Sequence, residues 1–405
     1  MIEFITIHRN LILQILAPIF LTLILAFLRI PVVFLHGLCT YVQPENLGQN
    51  NTGGGGIKAA IRRPSDDPKA NVELKRRNRS KDKFEFDESN AQIFRIKLDE
   101  DHLRSRLYYN EYKNCFVLSF LAVSCLLLHK YLGVGDDNIA LANGLMVPLV
   151  LGFVALCKVL AALARISLER SASKKSEKRL SLIFGGLGFV FGIVISAGIF
   201  PNGFDFNLGS VDGFWCIFIS VSMACISGFL YMPAGRSARS FWVGTDQIRS
   251  NLSMISCGWL GMPMEDFAKF RVLCLFLSGF LQALAVRPNL QMFLNEAVLS
   301  WYQRLHGSKV PDLDFSRAKM FLHNHFLCLV ALQFLAPSVL VLVFLGLSQI
   351  DLSSFFISRL VCGSLPCGDF FRQVGLLMSW WVLFIWSVLA SASLVFYRRG
   401  VLYVS

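Results

Sequence analysis

Few side chains in this sequence could do chemistry from within an apolar run. Lys158 is the clearest candidate, in the run 156–160. It could bind an anion, balance a buried charge, or extend to the polar boundary of the run, about two turns away at Arg165. Asn324 and Gln333 lie in or near a later run, and such amides more often join helices than bind substrates. Extension of the lysine is the favoured interpretation, and all three remain candidates for intramembrane polar roles.

The other reactive residue types are poorly arranged for catalysis. His323 and His325 are two positions apart, so on a helix they point to different sides and are badly placed to share a metal ion. No Asp or Glu occurs within the apolar runs, and no CxxC pair, P-loop, HExxH or nucleophile-elbow pattern occurs in a usable context. The sequence therefore predicts no catalytic, cofactor or metal site, and no enzyme.

The composition points to a membrane. Hydrophobic residues make up 54% of the 405 residues and charged residues 16%, with a mean hydropathy of +0.54. Soluble domains carry about 25% charged residues, because they need a polar surface. The net charge of +12 comes largely from loops beside apolar runs, where orientation in the membrane and anionic lipid account for it. A nucleic-acid partner is not expected.

The apolar runs predict an all-α polytopic transmembrane bundle of about eight spanning helices, since a span needs about 20 apolar residues. Residues 1–40 form an N-terminal anchor around Leu11–Phe34, whose core is too long for a signal peptide. Residues 41–114 form a hydrophilic loop, and residues 115–405 form the main bundle. Its spans are expected near 115–133, 139–163, 180–200, 213–232, 270–286, 321–347 and 375–397.

Two further helices are predicted at the membrane surface. Arg287–Gly307 has apolar residues at spacings of three and four and polar residues on its other faces, which is typical of an interfacial amphipathic helix. The apolar residues are Leu290, Phe293, Leu294, Val298, Trp301 and Leu305. The segment 94–112 is expected to form a second, shorter one.

The 41–114 loop is expected to be partly disordered. Gly53–Gly56 is typical of a flexible linker. A dense basic cluster follows, which could bind lipid headgroups or a partner, or could be a solvated loop that only sets orientation. Its members are Lys75, Arg76, Arg77, Arg79, Lys81 and Lys83.

Basic residues in the loops predict the orientation. The 41–114 loop has 15 Lys and Arg residues and the loop Arg165–Arg179 has six, whereas Gly133–Asn138 and Pro201–Asp212 have none. Basic loops face the cytoplasm, so the N-terminus lies outside.

After the fifth span the alternation fails. Eight single crossings would leave the basic segment Arg287–Lys319 and the final Arg398-Arg399 outside. One more crossing between Leu252 and Phe270 would correct both, yet the apolar part, Leu252–Met264, is short and broken by Gly and Pro. Two hypotheses remain: a shortened form, in which Arg287–Lys319 is strained or misoriented, or a re-entrant turn.

Several segments resemble a known family. They are Leu290–Asn295, Ala331–Pro337, Ser379–Trp381 and Tyr403–Val404, together with the Lys158 region and Phe229–Pro233 followed by Arg236. In order and spacing they resemble the transmembrane protein 161 family, from the second span to the C-terminus, with the character of a plant-type member. The resemblance implies a multi-pass membrane protein without an agreed activity. Animal members are linked to stress protection and electrical excitability, and no catalytic residues carry over.

Two functions follow as expectations. The first is a non-enzymatic membrane scaffold or regulator whose partners are the lipid bilayer and other membrane proteins. The alternative is a channel or transporter for a neutral or anionic solute, with Lys158 and Arg165 near its path. The organelle is not predicted.

The orientation predicts that Asn50 and Asn78 carry no glycan, although each heads an N-x-S/T sequon, because a cytoplasmic loop does not meet the glycosylation machinery. Glycosidase treatment should leave the mobility of the protein on a denaturing gel unchanged. A mobility shift that disappears in an Asn78→Gln variant would reverse the predicted topology.

Overall fold

The computed structural model describes residues 9–42, 58–61, 93–132, 144–168, 175–197, 213–245, 264–307, 313–350 and 367–400. Within these ranges the chain forms eleven helices and three short strands. The helices are α1 (Arg9–Phe27), α2 (Ile30–Leu35), α3 (Glu100–Arg104), α4 (Tyr109–Leu132), α5 (Met146–Leu168), α6 (Lys175–Ser196), α7 (Gly213–Thr245), α8 (Met264–Gly307), α9 (Leu313–His325), α10 (Leu327–Leu347) and α11 (Cys367–Arg398). The strands are β1 (Cys39–Val42), β2 (Lys58–Ile61) and β3 (Ile93–Lys97).

Eight of these helices are long and apolar enough to cross a membrane: α1, α4, α5, α6, α7, α8, α10 and α11. Their backbone groups are paired within each helix, as a segment in hydrocarbon requires. Large apolar side chains such as Phe20, Leu182 and Phe214 lie exposed on the outer helices, where lipid rather than water can cover them. The predicted all-α multi-pass architecture is confirmed.

Helix α10 is the centre of the bundle. In the most apolar stretch of α10, 83% of the residues are buried, against 17% in the corresponding stretches of α6 and of α8. It packs against α4, α5, α7, α8 and α11, so it needs apolar residues on every face. Pro337 lies in its middle without ending it, because neighbouring helices hold the segment in place.

Helices α6 and α7 make a close pair through small residues. Gly188 and Gly192 on α6 face Ser227 and Ser220 on α7 so closely that a Cβ at either glycine would lie 2.5 Å from its neighbour. Glycines four apart on one helix allow this approach of two backbones. The Ser181 hydroxyl adds a hydrogen bond to the Gly228 carbonyl, 2.6 Å long.

Side-chain contacts define two ends of the bundle. At the basic end, Arg165 on α5 forms an ion pair with Glu111 on α4. At the far end, the Lys130 Nζ on α4 donates to the Gln349 Oε1 beyond α10, 3.0 Å away. Gln14 lies 3.4 Å from the His129 ring near that far end, so α1 begins there.

Helix α8 differs from the prediction. The segment Arg287–Gly307 is not a separate interfacial helix but the continuation, through Pro288, of the sixth span into one 44-residue helix. Its apolar residues, Leu290 and Trp301 among them, pack inside the protein and not against headgroups. Pro288 is tolerated because α8 is held by α10 and α9 on either side of it.

Contacts of α8 also show at which end of the bundle its basic segment lies. Glu296 on α8 contacts Arg239 near the end of α7, and Lys269 near the start of α8 lies beside Lys130 at the far end. Arg287 donates to the His36 carbonyl. The basic segment of α8 therefore lies at the basic end in this chain, and the expectation that it is misoriented is wrong. The end of α7 and the start of α8 lie at opposite ends of the bundle. The segment Leu252–Met264, for which a re-entrant turn was one hypothesis, lies almost entirely outside the described ranges.

The hydrophilic loop contains structure that its composition did not indicate. Strands β1, β3 and β2 form an antiparallel sheet in that order, with Cys39 opposite Lys97 and Lys58 opposite Arg95. The predicted single helix over 94–112 is wrong, since β3 occupies its start, the short α3 follows, and the spanning helix α4 already begins at Tyr109. Sheet pairing with a distant strand overrides the local helical pattern.

The first apolar run is also divided. Arg29 adopts a left-handed backbone, with φ 50°, between α1 and α2. Pro31 then starts α2, where its missing N–H is not needed. Arg29 pairs with Glu100 at 2.6 Å, which turns the chain toward the sheet.

The α6–α7 contact predicts a difference between two Gly→Ala variants. Gly192→Ala should destabilise the bundle by about 1–3 kcal/mol, because its new methyl group meets the Ser220 backbone. Gly186→Ala is the matched control, since nothing lies within 4 Å of its Cβ, and it should be neutral or stabilising by up to about 1 kcal/mol. Thermal unfolding in detergent measures both. Equal melting temperatures for the two variants would contradict this packing.

Candidate functional site

A carboxylate without solvent exposure lies where α7, α8 and α9 meet. Glu296 on α8 is 0% exposed. Its Oε1 lies 2.8 Å from the Arg239 Nε on α7. Its Oε2 accepts a hydrogen bond from the Ser240 hydroxyl, 3.1 Å away. We call Glu296, Arg239, Lys319, His323 and their neighbours Arg236 and Gln333 the charge cluster.

The long extensions of two helices create this site. Helix α7 continues three turns beyond Pro233, and α8 continues beyond Pro288. Both helices are therefore longer than the roughly 20 residues that cross the hydrocarbon, and their extensions face each other at the basic end.

Helix α9 closes the cluster from the opposite side. The Lys319 Nζ and the His323 Nε2 each lie 4.0 Å from the Glu296 Oε1. The His323 Nδ1 lies 2.8 Å from the Lys319 carbonyl oxygen. Because a carbonyl can only accept, Nδ1 carries the proton of the neutral ring.

His323 contributes a packed neutral ring to the cluster and no charge. Burial lowers the pKa of its imidazole to about 4, and the nearby Glu296 offsets this only in part. The ring is therefore neutral near pH 7. It stacks on Phe293, with ring centroids 4.5 Å apart. Among the described residues, the positive charges that act on Glu296 include those of Arg239, Lys319 and Arg236.

A second link joins the cluster to the centre of the bundle. The Arg236 Nη1 donates to the Gln333 Oε1 on α10, 2.7 Å away. Ser240 sits one turn after Arg236, and its Oγ lies 2.9 Å from the Arg236 carbonyl oxygen, so its one hydroxyl proton is shared between that oxygen and the Glu296 Oε2. Glu177 of α6 and Tyr397 of α11 are close enough to interact electrostatically with Arg239. Five spanning or extended helices and α9 therefore meet around this cluster.

The same end carries a docking site for the sheet. Gln291 on α8 pairs with the backbone of Cys39, accepting from its N–H at 2.9 Å and donating to its carbonyl at 3.2 Å. The Tyr41 hydroxyl donates to the Asn295 Oδ1 at 3.0 Å, and the Asn324 side chain donates to the Tyr41 carbonyl at 2.7 Å. Three side-chain amides thus hold β1, whose backbone groups would otherwise face a helix without partners.

The residues singled out from the sequence do not form one site. Gln333 joins the charge cluster and Asn324 binds β1. Lys158 is exposed on the outer surface of α5, away from both. His325 stacks on Phe321 while His323 faces Glu296, so the two histidines point apart as their spacing predicts. The basic cluster, Lys75, Arg76, Arg77, Arg79, Lys81 and Lys83, lies outside the described residues.

Sequence reasoning missed the charge cluster as a unit. The amphipathic pattern of Arg287–Gly307 puts Glu296 among the polar residues on its other faces, and nothing in that pattern pairs it with Arg239. One signal was available: Glu296 shares a helix face with the apolar residues Phe293 and Leu299, three positions before and after it, as on a face that a core-facing helix buries. A lone acid on such a face needs a cation, and only the tertiary contact shows which one.

The arrangement neutralises the charge of the buried acid. The Glu296 Oε1 lies 2.8 Å from the Arg239 Nε, and its Oε2 accepts a hydrogen bond from Ser240. In the part of the chain that the structure describes, no three His, Cys, Asp or Glu side chains are grouped to hold a metal ion.

Removal of the buried carboxylate should be far more costly than removal of an exposed one. Glu296→Gln leaves Arg239 partly buried without its counter-charge and should destabilise the protein by about 3 kcal/mol or more. Glu111→Gln makes the same replacement in the pair with Arg165, where the Glu111 and Arg165 side chains are 41% and 65% exposed, and it should cost less than about 1 kcal/mol. Thermal unfolding in detergent compares the two. An Arg239→Gln/Glu296→Gln double variant should recover part of the loss, because neither charge remains unpaired. Equal effects of the two Glu→Gln variants would contradict the assignment.

Comparisons with known proteins do not extend this description. The chain matches no protein-family model, no curated protein and no solved structure. The resemblance to the transmembrane protein 161 family therefore stays a prediction. The chain is a multi-pass membrane protein whose basic end contains a buried charge cluster.

Proposed function

We propose that this multi-pass protein is a non-enzymatic membrane scaffold or regulator of other membrane proteins. The observation that carries the proposal is the charge cluster. Its acid, Glu296, is bound to Arg239 and Ser240 and is fully shielded from solvent. A solute-coupling carboxylate has to exchange partners during transport, whereas a structural one keeps them.

The basic end supports the same role. There α8, α9 and β1 form one packed unit, with Trp301, Val298, Ile93 and Met320 in a shared apolar core. The three-stranded sheet is attached to this unit through Gln291, Asn295 and Asn324 (hydrogen bonds of 2.7–3.2 Å). A rigid surface at the membrane boundary suits a protein that positions others.

The exposed position of Lys158 argues against the alternative of a channel or transporter for an anionic solute. It lies on the outer surface of α5, together with the exposed Phe153 and Val154. From that position its chain can extend toward the headgroups near Arg165. A solute path would need the lysine on an inner face of the bundle. The link to stress protection rests on the family resemblance alone and is part of this proposal.

Two measurements test the proposal. The purified chain in proteoliposomes should give halide and neutral-polyol fluxes equal to those of protein-free vesicles. In native membranes, chemical crosslinking followed by blue-native electrophoresis should place the protein in assemblies with other membrane proteins. The Glu111→Gln variant serves as a folded control in both.

The outcomes separate the two functions. A solute flux above the protein-free level that falls in a Lys158→Gln variant would replace the scaffold with a transporter. Migration of the crosslinked protein at the mass of a single chain would remove the support for a scaffold.

A further inference from the structure

An apolar groove opens at the far end of the bundle, between α4, α8 and α10. Its volume is about 380 Å³, within the range of small-molecule sites. Its residues include Leu127, Lys130, Lys269, Leu273, Phe276 and Gly346. The groove lies at the opposite end from the charge cluster and shares no residue with it.

The walls of the groove are suited to a hydrocarbon chain. Leu127 and Leu273 are 45% and 52% exposed, so the groove opens onto the surface of the bundle that lipid covers. Its floor is made by the close contact of Gly346 with Leu126, where a Cβ at the glycine would lie 2.8 Å from the leucine side chain. A larger residue at Gly346 would fill the space that an apolar guest could occupy.

The mouth of the groove carries positive charge. Lys130 and Lys269 are both exposed at its rim. Gln349 holds the Lys130 Nζ at 3.0 Å, and an ammonium group has two further N–H donors to offer. The sequence segments 133–138 and 201–212, which the orientation argument predicts at this end, contain no Lys or Arg. Two ammonium groups at the mouth of an apolar groove are complementary to a phosphate attached to an acyl chain.

We propose that this groove binds one anionic glycerophospholipid from the leaflet at the far end of the bundle. One acyl chain lies along Leu127, Leu273 and Phe276, and the phosphate lies between Lys130 and Lys269. The lipid would join α4, α8 and α10 on the side where α8 is least covered by protein. The inference does not depend on the proposed scaffold function.

Native mass spectrometry of the full chain can test the site. Mixed micelles would contain phosphatidylglycerol and phosphatidylcholine with identical acyl chains, at equal concentration and low ionic strength. The wild-type chain should retain phosphatidylglycerol preferentially. Each lysine near a lipid phosphate contributes about fivefold to affinity, so the Lys130→Gln/Lys269→Gln variant should lose roughly 30-fold. Lys113 is an exposed lysine at the opposite end of α4, and Lys113→Gln is the matched control. It should change the retention less than about twofold, because its charge is distant from the groove.

A second pair of variants tests the apolar part. Leu273→Trp should fill the groove and lower the retention of both lipids, whereas Leu281→Trp, equally lipid-facing on α8 but outside the groove, should leave it unchanged. Melting temperatures in phosphatidylcholine alone verify that each variant is folded.

Three results would overturn the proposal. The first is equal retention of the two lipids by the wild-type chain, which would mean that the lysines do not select a headgroup. The second is equal loss in the Lys113→Gln control. The third is displacement of the lipid by inorganic phosphate in modest excess, which would assign the lysines to a free anion.

Discussion

The ion pair between Arg239 and Glu296 is the interaction on which the basic end of this protein depends. A carboxylate with no solvent exposure is tolerated only if a cation and hydrogen-bond donors replace its water. Arg239 and Ser240 supply them from α7, and Lys319 approaches from α9. The requirement fixes where α7 and α8 end, because both helices have to extend beyond the hydrocarbon region to meet.

Other features follow from that meeting point. Once Glu296 is placed beside Arg239, the preceding turn of α8 presents Gln291 and Asn295 to β1, and the sheet is attached. Arg236 connects the same region to Gln333 on the buried helix α10. The cluster thereby couples the sheet, the surface helices and the central span, so a change at Glu296 should affect all three.

The two ends of the bundle are built differently. At the basic end, charges are paired inside the protein and backbone groups are satisfied by side-chain amides. At the far end, Lys130 and Lys269 remain exposed at the rim of an apolar groove. Paired charges hold a structure together, and exposed charges beside an apolar groove are available to a ligand. This difference is why we assign a structural role to one end and a lipid site to the other.

The sequence by itself determined the membrane architecture. Eight apolar runs, the low share of charged residues and the basic loops sufficed, because transfer of about 20 apolar residues into lipid is a local property of each run. The tertiary structure decided the rest. Local pattern assigned Arg287–Gly307 to the membrane surface, yet contacts with α7, α9 and β1 bury it as the end of α8. The local pattern also did not predict that the strands 39–42 and 93–97 pair, because pairing between residues more than fifty positions apart does not affect local periodicity. Lys158 was a candidate because a cation in an apolar run is rare, yet it lies on the outer surface of the bundle. Glu296 instead pairs with a cation on another helix. The depth of a charge along one helix can be read from sequence, but the neighbour that neutralises it is known only when the helices are packed.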